Sequence, residues 1–325
     1  MSTTIKKLGK PVQNEFELFT KEFTSALQSD ISLIKEISQY ILNQKSKRIR
    51  PLLVLLSAKL CGLPGENTII AASLVEILHT ATLIHDDIID EALTRRGKPS
   101  VNAVWKNKVS VLIGDFLFSR SLTNMLRIRD FEALELLSRT SEALSSGEIL
   151  QLEKSSNNGM DEENYFRMIW LKTASLFATS CKVGALTVGA DQEKADVLYK
   201  FGKYLGLAFQ VKDDLFDYTA TEESIGKPIG RDLKSNLITL PLIHTLNKLS
   251  SAENRRIRNL IKIGLQPDDV KEINNLILES GGVEYTKQKL KEISEKACES
   301  LAGFHDSDIK QSLLGFIEFN QERIN

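Results

Sequence analysis

Apolar residues in this chain recur at spacings of three and four, and that period limits most narrowly what it can fold into. Phe16, Phe19, Phe23 and Leu27 follow it, and Ile34, Ile37 and Ile41 repeat it after a possible cap at Asp30. Such spacing puts each set on one face of an α-helix, whereas a half-buried strand needs apolar and polar residues to alternate. No convincing alternating run flanked by hairpin turns occurs, and only 7 prolines fall in 325 residues. The expected fold is all-α. Turn signals punctuate it at Gly62-Leu63-Pro64-Gly65, Gly97-Lys98-Pro99, Asn157-Asn158-Gly159, Gly226-Lys227-Pro228 and Gly281-Gly282. No Pro/Ser-rich linker or charge block divides the chain, so residues 1–325 are expected to form a single domain.

Lys+Arg 42 against Asp+Glu 43 leaves a net charge of −1, without the basic footprint of a nucleic-acid binder. Any anionic ligand must be held by local charge. Cys61, Cys181 and Cys298 are widely spaced and form no C-x-x-C pair, which argues against a disulfide framework or a zinc site and fits a reducing cytoplasm. Thr68 to Ile84 is the most apolar stretch, but Ser73, Glu76 and His79 interrupt it. It falls short of the roughly 18 uninterrupted apolar residues of a membrane span and reads as a buried helix of a soluble protein. Lys6 and Lys7 are followed by no apolar h-region, and Glu15 and Glu17 come too early for a transit peptide, so a cytoplasmic location is expected.

Two carboxylate clusters organise the chemistry. His85-Asp86-Asp87-Ile88-Ile89-Asp90 lies near the end of a helix that begins about Asn67, and Lys212-Asp213-Asp214-Leu215-Phe216-Asp217 repeats the pattern. Asp86 and Asp90, like Asp213 and Asp217, are four apart and share a helix face. Like charges at that spacing repel, and a helix C-terminus is already negative, so each cluster wants a countercharge. Hard divalent cations take oxygen ligands, and Mg²⁺ is typically held by one or two carboxylates, waters and substrate phosphates. A single such cluster reads equally well as a solvated acidic helix end. Two of them, each inside an apolar segment where unpaired carboxylates are costly, read as metal sites for several Mg²⁺ ions. Neither cluster has the loop of an EF-hand, and no P-loop is present.

A diphosphate bound through Mg²⁺ still exposes anionic oxygens, which suit Arg forks and Lys point charges. Lys47-Arg48-Ile49-Arg50-Pro51 precedes an apolar helix, with Pro51 suited to its first position and the helix N-terminus favourable to an anion. Arg95-Arg96-Gly97 follows the first cluster, and Lys172-Thr173 and Gly226-Lys227 lie further on. His79 sits two turns before Asp86, and Gln210 one turn before Asp214; alone, each is ambiguous.

In order along the chain, these motifs resemble those of the trans-prenyl diphosphate synthases, or polyprenyl synthetases. The resemblance runs from Lys47 to Pro241 and includes Gly114-Asp115, Gly147-Glu148 with Gln151, and Phe209-Gln210. It implies antiparallel helices around a central cavity, normally a homodimer, with the two acidic helix ends facing across the cavity mouth. Asp86, Asp90 and Asp213 are then the leading Mg²⁺ ligands, supported by Asp87, Asp214 and Asp217. Lys47, Arg50, His79 and Arg96 would hold isopentenyl diphosphate, while Arg95, Lys172 and Lys227 would hold the allylic diphosphate. The carbonyl of Lys172, the hydroxyl of Thr173 and the amide of Gln210 would support the allylic cation through ionisation, condensation and elimination. Two departures stand out: Lys45-Ser46 precede Lys47 where Gly-Gly is common, and Leu237 stands where many members carry a second lysine.

Product length would be set on the helix that carries Asp86. Ala81 and Thr82 occupy positions where short-chain members commonly place Phe or Tyr as a floor, so the expected stop lies deeper, at Leu78, Val75 and Met125. The resemblance then implies a product of about six to eight isoprene units, each helix turn descending about 5.4 Å. A quinone side chain is its expected use, and the product would partition to the membrane. A short-chain farnesyl or geranylgeranyl diphosphate synthase and a class I terpene cyclase are the alternative readings. The need for a second subunit is left open.

Overall fold

Helices form where the three-and-four period runs and break at Gly62-Leu63-Pro64-Gly65, Gly97-Lys98-Pro99 and Gly281-Gly282, while the turn signals at Asn157-Asn158 and Gly226-Lys227-Pro228 lie outside the described residues. In the computed structural model, which describes residues 3–156, 159–219, 233, 235 and 237–323, α1 (Thr3–Leu8), α2 (Gln13–Ala26) and α3 (Ser32–Leu42) come first. Phe19, Phe23, Leu27, Ile37 and Ile41 are buried, as their spacing requires. Helix α3 starts one residue later than a cap at Asp30 would place it: Ile31 is its N-cap and makes no side-chain capping bond.

Helix α4 (Ile49–Cys61) leads through Gly62-Leu63-Pro64-Gly65 into α5 (Glu66–Ile89). By length and composition α5 is apolar enough to cross a membrane, yet Leu74, Val75, Ile77 and Leu78 are each 0% exposed within the protein, against α2, α4 and α6 (Val101–Ile128). Between α5 and α6 lies a feature the helical period does not announce, a hairpin of β1 (Thr94–Arg95) and β2 (Lys98–Pro99). Its turn residues Arg96 (φ 54°) and Gly97 (φ 76°) are both left-handed, as a two-residue type I′ turn demands. Two residues per strand are too few for alternation to show. Helix α6 is interrupted at Lys106 (φ 68°), and Gly114-Asp115 lie within it.

The remaining elements are α7 (Phe131–Ser156), α8 (Glu162–Ile169), a π-helical turn at Trp170–Ala174, α9 (Ser175–Leu186), α10 (Gln192–Thr219), α11 (Leu240–Lys248), α12 (Ser251–Ile263), α13 (Pro267–Glu279), α14 (Gly282–Ser300) and α15 (Asp308–Glu322). Two compact units are built from them. The first comprises Met1–Ser141, Leu176–Gly202 and Leu301–Gly315; the second comprises Glu142–Ser175, Lys203–Ser300 and Phe316–Asn325. The first is organised around α5. The second has its own core, in which Tyr165, Ile169, Val211, Leu215, Leu240 and Ile277 are buried together.

Candidate active site

In the first unit, α5 positions the first acidic cluster. Asp86 is partly buried, and Asp90 is exposed as the residue that ends the helix, its N–H donating to the Asp86 carbonyl at 2.8 Å. Asp87, one position round the helix, turns inward and is 3% exposed. Its Oδ1 accepts from Arg95 Nε at 2.7 Å and from Arg95 Nη2. Burial pushes the Asp87 carboxyl above its usual range, and the Arg95 hydrogen bonds and charge oppose that. The His85 ring lies 3.5 Å from Asp115 and 3.3 Å from the Val111 carbonyl. A Cβ at Gly114 would fall 2.1 Å from His85 Nε2, so the glycine makes room for the ring in this position beside Asp86.

The same helix carries a basic subsite about 10 Å back along its axis, seven residues at 1.5 Å each. Arg50 Nη1 lies 2.9 Å from His79 Nε2, and the guanidinium sits 4.6 Å from the Phe177 ring centroid. Arginine only donates, so His79 Nε2 accepts and the ring is neutral. Burial, then the charges of Arg50, Arg96, Arg95 and Arg48, hold its pKa well below 6.5. Burial lowers the pKa of Arg96. Lys47 is partly buried. Helix α4 begins at Ile49, so Pro51 is its third residue rather than its first, still in the turn where an N–H has no helical partner. A cleft brings Arg48, Glu76, Asp87, Arg95 and Arg96 together.

In the second unit, α10 positions the second cluster. Asp213 is exposed, and its Oδ1 accepts from Arg323 Nη2 at 2.5 Å; Arg323 is itself buried over the Phe209 ring at 4.0 Å. Asp217 is partly buried. Asp214 turns inward. Its Oδ2 accepts from the Tyr165 hydroxyl at 2.7 Å and its Oδ1 from Gln210 Nε2 at 2.8 Å. The Gln210 amide is thereby oriented so that its Oε1 accepts from Thr173 Oγ1 at 2.8 Å. Burial pushes the Asp214 carboxyl up to about 6, against the hydrogen bonds from Tyr165 and Gln210.

Lys172 and Thr173 lie within the π-helical turn, a distortion that recurs at functional sites. Lys172 Nζ is 2.5 Å from Glu148 Oε2 and donates to Gln151 Oε1 at 3.1 Å. A Cβ at Gly147 would sit 2.6 Å from the Lys172 backbone nitrogen, so the glycine lets α7 approach this turn. Lys227, expected to contact the allylic diphosphate, lies outside the described residues.

Asp86 and Asp90, and Asp213 and Asp217, supply only oxygen donors, a set suited to a hard divalent cation. Among the described residues no three His, Cys, Asp or Glu side chains close into a cage by themselves. Mg²⁺ completed by waters and substrate phosphates needs no such cage. Of the positions expected to govern product length, Ala81, Leu78, Val75 and Met125 are buried and Thr82 is partly buried, donating to the His79 carbonyl at 2.9 Å.

Arg48, Glu76, Tyr165 and Arg323 had no expected role, and Glu148 and Gln151 were only parts of a motif. Glu76 alone carried a signal: a carboxylate inside the most apolar stretch must find a partner. Tyr165 and Arg323 act across 49 and 110 residues, which no local pattern reports.

Carboxylates on a buried helix, with arginines from α4 and the hairpin packed beside it, are the equipment of a helical enzyme for phosphorylated substrates. The polyprenyl synthetase profile matches residues 31–278. The chain is 36% identical over 297 residues to octaprenyl diphosphate synthase of Escherichia coli, covering 91% of this chain and 92% of that protein. It is 36% identical over 252 residues to heptaprenyl diphosphate synthase component 2 of Bacillus subtilis, covering 78% and 71%. The crystal structure of a polyprenyl synthase from Caulobacter crescentus, complexed with calcium and isoprenyl diphosphate, superposes with a TM-score of 0.91 at 32% identity, covering 99% and 98%. The chain belongs to the polyprenyl synthetase family, is a prenyltransferase, and has the family's all-α fold.

Proposed function

We propose that this enzyme condenses isopentenyl diphosphate with an allylic diphosphate and releases an all-trans product of about six to eight isoprene units, by analogy with the relatives' octaprenyl and heptaprenyl products. The observation that carries the reading is the double equipment around α5, with the Arg50–His79 pair at one level and Asp86 and Asp90 about two and three turns further along. Lys47, Arg50, His79 and Arg96 hold isopentenyl diphosphate. Lys172, Lys227 and Arg95 hold the allylic diphosphate, with Arg95 kept beside the first cluster by Asp87. Asp86, Asp90, Asp213 and Asp217 would hold Mg²⁺, which supplies Lewis-acid stabilisation of the departing diphosphate.

The chain's own residues do the rest. Cationic side chains stabilise negative charge as it leaves. The allylic cation needs electron-rich neighbours, and the Thr173 oxygen and Lys172 carbonyl provide them. Asp214 keeps Gln210, and through it Thr173, in one orientation. In this reading Asp87 and Asp214 position their neighbours instead of sharing the metal.

Exposed Val111, Leu112, Leu122 and Leu126 on α6 support a homodimer, since apolar side chains of that size gain by being covered. The name "component 2" of the Bacillus relative favours testing a second subunit as well. We place the enzyme in the cytoplasm, releasing a product that enters the membrane for quinone synthesis.

Purified protein is incubated with farnesyl diphosphate, labelled isopentenyl diphosphate and Mg²⁺, and products are resolved by length. The expected product is about six to eight units long; one of three or four units would instead mean a short-chain synthase, and cyclic hydrocarbon formed without isopentenyl diphosphate a cyclase. Ala81→Phe is expected to shorten the product to about three or four units. Light scattering with an activity assay on the protein alone distinguishes an active dimer from a subunit awaiting a partner.

A further inference from the structure

Glu76 is the one carboxylate buried in the apolar middle of α5, 3% exposed, and nothing in the condensation chemistry calls for it. Its Oε1 accepts from Arg48 Nη1 at 2.7 Å and from Ser46 Oγ at 3.4 Å. The Arg48 N–H in turn donates to Ser46 Oγ at 3.3 Å, and the guanidinium lies 4.4 Å from the Phe23 ring centroid. Arg48 is held at φ 52° and ψ 38°, a left-handed conformation that a non-glycine residue keeps only when its surroundings over-determine it. That residue sets the direction of the chain between Lys47 and Arg50.

Glu76 and His79 are three apart and therefore neighbours on one face of α5. Glu76 takes Arg48 and His79 takes Arg50, so one helix grips alternate residues of the basic segment. The charge balance points the same way. The cleft gathers Arg48, Arg95 and Arg96 with only two acids, Glu76 and Asp87, and Asp87 is engaged by Arg95. Glu76 is left as the negative charge facing Arg48 and Arg96.

We propose that Glu76 is a positioning residue for the isopentenyl diphosphate subsite: by anchoring Arg48 it holds the left-handed turn that presents Lys47 and Arg50, and it keeps the arginines together before the anion arrives. This rests on the assignment of Lys47, Arg50, His79 and Arg96 to isopentenyl diphosphate. Glu76 does not touch the substrate, and its loss should be felt in one substrate only.

The test is steady-state kinetics with each substrate varied, on Glu76→Gln, Arg48→Met, the double variant and Arg50→Ala, with thermal unfolding of each. Glu76→Gln is expected to raise the KM for isopentenyl diphosphate about tenfold, as for the loss of one charge-assisted contact. The KM for farnesyl diphosphate and kcat at saturation should stay within about twofold of wild type. The double variant should be no worse than the poorer single, because both remove the same contact. An unchanged isopentenyl diphosphate KM in folded Glu76→Gln overturns the proposal, as does a parallel rise in both Michaelis constants, the signature of general loosening. Should that variant not fold, Ser46→Ala decides: a rise of about threefold in the isopentenyl diphosphate KM alone supports the anchor, and no change overturns it. If Arg50→Ala also leaves that KM unchanged, the substrate assignment itself has failed; if Arg50→Ala raises it and Glu76→Gln does not, only the positioning role has.

Discussion

The two acidic motifs have the same spelling, Asp-Asp-x-x-Asp, and the two units use their middle residue differently. In both, the outer acids share a face and the middle one turns inward, as the helical rotation of about 100° per residue requires. Asp87 meets a charged partner, Arg95, whereas Asp214 meets only neutral donors, Tyr165 and Gln210. The first arrangement fixes a cation beside the cluster. The second fixes an amide and, through it, the Thr173 hydroxyl. In the proposed reading the outer acids of both motifs hold metal, while the inner one takes the task its own unit supplies.

The comparison is tested most severely at the outer acids. Asp86→Ala and Asp213→Ala should each lower turnover by more than about a hundredfold, the scale on which single electrostatic stabilisers are lost. Thermal unfolding without Mg²⁺ should be unchanged or higher for Asp86→Ala, since like-charge crowding is relieved, and lower for Asp213→Ala, which takes a carboxylate away from the buried Arg323. Near-normal product formation in one variant would break the equivalence of the two clusters at that site.

The basic subsite is built in the first unit, where Arg50 of α4 meets His79 of α5, so its loss should be selective. Arg50→Ala removes a contact worth about 1.5–3 kcal/mol and should raise the isopentenyl diphosphate KM by about ten- to a hundredfold. Equal effects on the two Michaelis constants would contradict the separation of substrate sites.

The inner acids sharpen the contrast. Asp214→Asn puts an amide where two donors converge, so Gln210 loses its fixed orientation and kcat should fall about tenfold, within the range of a lost neutral hydrogen bond or two. Asp87→Asn leaves that amide in place and should act through Arg95, on the allylic KM. Identical kinetic signatures in the two variants would mean that the inner positions do the same work after all.

The smallest effect is one of pH. His79 is neutral in the folded protein, with its pKa held below 6.5, while the unfolded chain takes up the proton at about 6.5. Stability from this group is full above that value and is lost as pH falls from about 6.5 toward the lowered pKa. In substrate-free protein the slope is about 1.4 kcal/mol per pH unit within that window. Chemical denaturation of His79→Gln should show a slope smaller by that amount, and an identical slope would show that His79 is free to charge.

Much of this was readable in one dimension because it is local. The spacing of Phe19, Phe23 and Leu27 settles a helix face, an i, i+4 pair of aspartates settles a shared direction, and both depend only on 3.6 residues per turn. Glu76 was visible as an anomaly, because a carboxylate in an apolar helix must be paired somewhere, although its partner was not. The six-residue hairpin at Thr94–Pro99 escaped because its strands are shorter than the period that would reveal them, and its turn carries Arg96 where Asn is usual.

What only the tertiary structure decided is which buried acid meets which donor. Asp87 and Asp214 occupy equivalent places in equivalent motifs, and no local rule separates them. The difference arises because α8 brings Tyr165 to one and a short hairpin brings Arg95 to the other. Hydrogen bonds are directional and extend about 3 Å, so their pairing depends on where distant segments arrive, whereas helix formation and the burial of an apolar face depend on a repeat each segment carries within itself.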